Sequence, residues 1–224
     1  MYRVLVLYLL LLSFALLIEP AWAQQYGTLS GRVLDLHKAP VADATVYAVP
    51  VGVVWVGIIP HTSTDAEGHY RLPIRYGRYS VSPAKPNAGY PPLYLELYNE
   101  INPPEVEISG QQQSVALDLQ LGKKAGYLTG TVTDADTGKP VGNAAMELRR
   151  EENRRNYIRG TGMISETGQL RTLVPSDTPV LLTIFHDGYQ NWSPTHDGKA
   201  AAITLAPGQS LDINVQLKRS SLVR

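Results

Sequence analysis

The sequence predicts an all-β protein built of two tandem β-sandwiches, and three observations carry that prediction. The first is an internal repeat. Gly27, Gly31, Val33 and Asp35, then Pro40-Val41 and Ala44, return as Gly126, Gly130, Val132 and Asp134, then Pro140-Val141 and Ala144. The offset is 99 residues before the turn (Gly27 to Gly126) and 100 after it (Pro40 to Pro140), the extra residue being absorbed within residues 135–139. Similarity at one fixed offset marks a duplicated unit. The second observation is period-two alternation. Leu29, Gly31 and Val33 alternate with Ser30 and Arg32, Val115, Leu117, Leu119 and Leu121 with Ala116, Asp118 and Gln120, and Leu211, Ile213, Val215 and Leu217 with Asp212, Asn214 and Gln216. Successive side chains of a strand point to opposite faces, so each run has one face for a core and one for solvent. The third is punctuation: Asp65-Ala66-Glu67-Gly68, residues 134–138 and Ala206-Pro207-Gly208 have turn chemistry, and no stretch of comparable length carries a helical period.

Taken in order, residues 1–23 hold one positive charge at Arg3, an apolar run from Val4 to Ile18 broken only by Ser13, then Pro20 and Ala21-Trp22-Ala23. This is the pattern of a secretory signal peptide, with cleavage expected before Gln24. Its apolar run is 15 residues, short of the roughly 20 that cross a bilayer. Residues 24–121 form the first predicted sandwich, 122–126 a linker, 127–218 a second and divergent sandwich, and 219–224 a C-terminal tail. Between them, Tyr90, Tyr94 and Tyr98 have helical spacing, but Leu93, Leu95 and Leu97 alternate as in a strand. Pro86, Pro91, Pro92, Pro103 and Pro104 break any long element there, so that stretch reads as irregular.

Composition narrows the function. Twenty Lys and Arg balance 20 Asp and Glu, which leaves no field to gather nucleic acid or an anionic membrane surface. There is no Cys among the 224 residues, which excludes a disulfide scaffold, a thiolate metal site, a cysteine nucleophile and a lipidated cysteine anchor. No segment after the leader is long and apolar enough to span a membrane.

The motif Gly31-x-Val33-x-Asp35, Pro40-Val41-x-x-Ala44-x-Val46, Thr64-Asp65-x-x-Gly68-x-Tyr70-x-Leu72, Gly77-x-Tyr79-x-Val81 and Gly89-Tyr90 resembles the carboxypeptidase regulatory-like domain. The second copy keeps Gly130-x-Val132-x-Asp134, Gly138-Lys139-Pro140-Val141, Ala144, Gly168 and Gly188-Tyr189, but has Ser165 where the first has Asp65. The resemblance implies a transthyretin-like (prealbumin-like), Ig-like fold, hence two seven-stranded Greek-key sandwiches. It also implies a non-catalytic appendage of exported, bacterial-type proteins, and similar folds bind glycans.

Candidate chemistry is sparse. No nucleophile with a base, catalytic carboxylate pair or His-Glu-x-x-His motif is visible, and no cofactor is expected. His61 and His69 flank the turn containing Asp65, so a hairpin there would gather three metal ligands, the weak candidate for a metal-dependent hydrolase. Residues 51–60, which include Trp55, are either a buried strand with a Gly-containing bend or an exposed patch for a partner. Tyr90, Tyr94 and Tyr98, and in the second repeat Tyr189 and Trp192, offer flat rings for a sugar or a peptide, or pin their loops to the sandwich. The sequence therefore reads as an exported, non-enzymatic binding or structural module of the cell envelope, facing the periplasm, the cell surface or the medium, with a glycan or an envelope protein as partner. Its rivals are a peptidase accessory subunit or small hydrolase using His61, Asp65 and His69, and a carrier of a hydrophobic ligand at a subunit interface around Trp55.

Overall fold

The computed structural model describes residues 25–54, 56–98, 102–153 and 156–220. The expected signal peptide and Trp55 lie outside the described residues. The first sandwich comprises β1 (Tyr26–Leu34), β2 (Thr45–Pro50), β3 (His61–Ser63), β4 (His69–Arg75), β5 (Gly77–Ala84), β6 (Glu105–Ile108), β7 (Ser114–Ala116) and β8 (Leu119–Gln120). One sheet runs β4-β1-β7, with β8 also beside β1, and the facing sheet runs β3-β2-β5-β6. β4 is antiparallel to β1, while β7 and β8 lie parallel to it, so the unit's first and last strands are neighbours. That return of the last strand to the first is a Greek-key path.

The alternation read from the sequence is the alternation of burial. In β4, Tyr70, Leu72 and Ile74 are buried while His69, Arg71, Pro73 and Arg75 are exposed. Pro73 is tolerated because β4 is an edge strand. β7 and β8 are one seventh strand in two pieces. Between them Leu117 keeps its N–H on Ser30 O, and its carbonyl accepts the Tyr70 hydroxyl at 2.6 Å. Gly31 faces that break, and a Cβ on it would run into Leu117 O, so β1 approaches the last strand this closely only with glycine.

The second sandwich repeats the plan with β9 (Gly126–Asp134), β10 (Ala145–Asn153), β11 (Asn156–Met163), β12 (Gln169–Val174), β13 (Val180–Phe185), β14 (Thr195–His196), β15 (Lys199–Ala200) and β16 (Ser210–Leu217). Its sheets are β12-β9-β16 and β11-β10-β13. Gly130 repeats the part of Gly31, its missing Cβ making room for Ile213 O of β16. The strand expected beside β13 is interrupted. Trp192 pairs with Ile184 and Ile203 with Val180, so the five residues 180–184 of β13 face the twelve residues 192–203 of the returning chain. The surplus loops out as the β14-β15 hairpin, closed at its base by Ala201 N–H to Pro194 O at 2.7 Å.

Two buried clusters fill the two sandwiches, and they are keyed together. η2 (Glu96–Tyr98), a single 3₁₀ turn on the long loop that leaves β5, carries Leu97 into the second core at 4% exposure. Gly160 leaves room for it, since a Cβ there would meet Leu97 Cδ2 at 2.6 Å. Tyr98 donates its hydroxyl to Leu173 O at 2.8 Å, and Arg150 donates to Glu96 O at 2.8 Å. In the connecting segment Ala125 is buried, its N–H on Gly89 O of the first unit and its carbonyl accepting Gly208 N–H of the second.

Candidate functional site

The three tyrosines of the long loop are taken by three different neighbours. Tyr90 packs against the first core and exchanges backbone hydrogen bonds with Lys85. Tyr94 meets Tyr47 edge-on at 5.0 Å, and Tyr47 lies 5.8 Å from the His61 ring. Tyr98 reaches the second core. Burial pushes its phenol up to about 12, and its work is to hold the seam between the sandwiches. Of the two readings open for these tyrosines, Tyr90 and Tyr98 pin their loop to the two cores, and the three rings do not lie together on one surface.

The metal candidate does not assemble either. β3 and β4 lie in opposite sheets, so the Asp65 turn crosses the sandwich instead of closing a hairpin. The crossing is anchored by buried Thr64, whose Oγ1 accepts Ala44 N–H at 2.9 Å and donates to Val41 O at 2.7 Å. His61 Nδ1 sits 2.8 Å from Ile59 O, while His69 Nδ1 is 3.7 Å from Asp65 Oδ2. Asp65 Oδ1 accepts the N–H groups of Glu67 and His69, which is turn work. In the second copy Ser165 Oγ takes over, accepting Gln169 N–H at 2.9 Å. Among the described residues no group of three or more His, Cys, Asp or Glu is placed to hold a metal.

The apolar stretch after β2 is exposed, and a buried strand does not form. Val51 still bonds Arg78 O, but Gly52 then takes φ 77°, a left-handed turn that leads the chain off the sheet. Val53, Val54, Val56 and Ile58 are 62%, 93%, 88% and 81% exposed.

Tyr189 and Trp192 part company. Tyr189 donates to Asp134 Oδ2 at 2.9 Å, and Arg219 Nε donates to the same oxygen at 2.9 Å, which binds the tail to the sandwich. Burial raises the Asp134 carboxyl, but hydrogen bonds from Thr137, Tyr189 and Arg219 outweigh it and hold the group well below the usual carboxylate range. Trp192, by contrast, lines a cleft of about 540 Å³ with Gln190, Asn191, Asn214, Gln216 and Lys218. Reciprocal bonds of 2.8 Å to Ile184 fix its backbone against β13, and its half-buried side chain packs on the second core. Asn214 Oδ1 is held by the Thr131 hydroxyl at 2.7 Å, which leaves its amide NH₂ to face a ligand. The side chains of Asn191 and Gln216 make no hydrogen bond within the described residues. An indole among side-chain amides combines a flat apolar face with groups that both donate and accept. The sequence pointed to Trp192 alone. The outward places of Asn214 and Gln216 followed from the β16 alternation, but their meeting with Trp192 depends on the interrupted strand.

No protein family and no curated protein matches this chain. Solved structures match it distantly. The TIE protein of Bacillus anthracis is 20% identical with a TM-score of 0.36, covering 87% of this chain and 34% of that one. The chain thus spans about a third of that protein's length. The shaft pilin SpaA of Lactobacillus rhamnosus GG is 11% identical with a TM-score of 0.35, covering 89% of this chain and 100% of that one. A candidate carbohydrate-binding protein of Bacteroides uniformis is 14% identical with a TM-score of 0.31, covering 42% of this chain and 41% of that one. No activity carries over from likenesses of this distance. Among the described residues no helix is long and apolar enough to cross a membrane.

Proposed function

We propose that this chain is an exported, non-catalytic module of the cell envelope whose second sandwich binds a saccharide in the Trp192 cleft. The observation that carries this reading is the company Trp192 keeps: amides of Asn191 and Gln216 with no hydrogen-bond partner among the described residues, beside Asn214, Gln190 and the Lys218 ammonium. The C–H face of a sugar ring is apolar and fits an indole. Its hydroxyls both donate and accept, as a carboxamide does, so an amide matches them without a charge to desolvate. The leader supports export, and the keyed sandwiches suit a stiff part of an assembly.

The test is retention of the exported protein, residues 24–224, on insoluble envelope polysaccharides. Trp192→Ala is expected to lower retention at least tenfold and Gln216→Ala severalfold, with circular dichroism unchanged. Equal retention by wild type and Trp192→Ala contradicts the reading. A second use, docking of an envelope protein, is favoured by the exposed Val53, Val54, Val56 and Ile58. It predicts co-purification of one discrete partner that is lost with Val54→Asp, and its failure leaves the cleft reading standing.

A further inference from the structure

The Trp192 cleft carries one formal charge. Lys218 is its only ionised lining residue. The rest of its polar lining is side-chain amides and the hydroxyls of Ser193 and Thr195, and no carboxylate among the described residues lines it. Asn214, Gln216 and Lys218 follow at every second position, each exposed, so they stand in a row along the outward face of β16 and just past its end. The Lys218 side chain makes no hydrogen bond or ion pair with any described residue. Carboxylates on the neighbouring elements are engaged elsewhere. Asp134 receives Arg219 and Tyr189, each at 2.9 Å, Asp212 accepts the Thr129 hydroxyl at 3.0 Å, and Asp197 of the β14-β15 hairpin lies 3.4 Å from His196. A solvated ammonium needs no partner. This one differs from other surface lysines in standing at the end of a row of hydrogen-bonding amides, in the same cleft as an exposed indole face.

We infer that the cleft selects acidic saccharides, a glycan whose ring lies on Trp192 and whose carboxylate pairs with Lys218. This rests on the saccharide reading of the cleft and names the class within it. Neutral sugars satisfy the amides but leave the ammonium unused, whereas a carboxylate adds a charge-assisted hydrogen bond, roughly twice as strong as a neutral one. A carboxylate brings one charge and two acceptor oxygens, which Lys218 and a neighbouring amide NH₂ satisfy. A phosphate monoester brings nearly two charges and three acceptor oxygens, more than one ammonium answers. Because Lys218 is exposed, the pair forms with both groups still partly hydrated, so its contribution is modest and salt weakens it.

The probes are pectate, alginate and hyaluronan, each beside its carboxyl-reduced form, which keeps the sugar linkages and loses the charge. The same reduction is applied to any envelope polysaccharide that retains the protein, and dextran with dextran sulfate controls for plain attraction to anions. Binding of the protein of residues 24–224 is measured at low and at high salt. The expected result is that at least one acidic polysaccharide binds about tenfold more tightly than its reduced form at low salt, and less so at high salt. Lys218→Gln removes that preference and Lys218→Arg keeps it, both with the circular dichroism and melting temperature of wild type. The weaker binding left in Lys218→Gln is still lost with Trp192→Ala. Trp192-dependent binding with no preference for the acidic member of any pair overturns the inference and leaves the saccharide reading standing. So does a preference that survives Lys218→Gln, or dextran sulfate bound as tightly as the carboxylated polymers. Absence of any Trp192-dependent binding overturns both.

Discussion

Asp134 shows how much one residue of the repeat came to carry. Its counterpart Asp35 accepts the N–H groups of His37 and Ala39 and so holds a turn. Asp134 does the same for Asp136 and Thr137, and in addition receives Tyr189 and Arg219. Its folded-state pKa is depressed, so the stability it contributes is fully present above the ordinary carboxylate value of about 3.9. It is lost as pH falls below that value and through the folded one. Thermal melts should therefore be flat in Asp134's contribution from about pH 7 to 5 and decline below about pH 4. Asp134→Asn should lower the melting temperature at neutral pH and flatten the acid limb. Gly130→Ala should destabilise the second sandwich strongly, because its Cβ meets the Ile213 carbonyl. The turn role of these aspartates was legible in the sequence from the repeat. The tail contact through Arg219 was not, since it joins residues 85 positions apart with no pattern between them.

Single elements tell the same story. The alternating runs of β1, of β7 with β8, and of β16 were readable because one face is buried and the other wet. Two pieces escaped that logic. The β14-β15 hairpin interrupts a strand with residues of no periodicity, so only the two bridges to β13 reveal the strand it divides. The η2 turn buries Leu97 in a core built by another repeat, which no local pattern announces. Leu97→Ala should cost about 2–5 kcal/mol, as a vacated buried leucine does, and chemical denaturation should locate the loss in the second sandwich although the residue belongs to the first one's loop. Tyr98→Phe removes the shorter of two side-chain donors to the Leu173 carbonyl, the Thr172 hydroxyl remaining at 3.3 Å, and should cost about 1 kcal/mol.

Leu97 and Tyr98 key the two sandwiches together, and the second sandwich carries the polar cleft around Trp192. A leucine shared between cores, the Tyr98 bond and the Ala125 bonds couple the units, so calorimetry should record a single cooperative transition, whereas independent domains would give two. Leu97→Ala should separate that transition into two. The proposed saccharide site depends on the second sandwich alone, through Trp192 and not through the tyrosine loop. The deciding measurement is binding to an array of glycans and cell-wall fragments by wild type, Trp192→Ala and Tyr94→Ala, each checked for native circular dichroism. Selective binding that survives Tyr94→Ala and is lost in Trp192→Ala is the predicted result. Binding that survives Trp192→Ala, or no binding by the wild type, would contradict it.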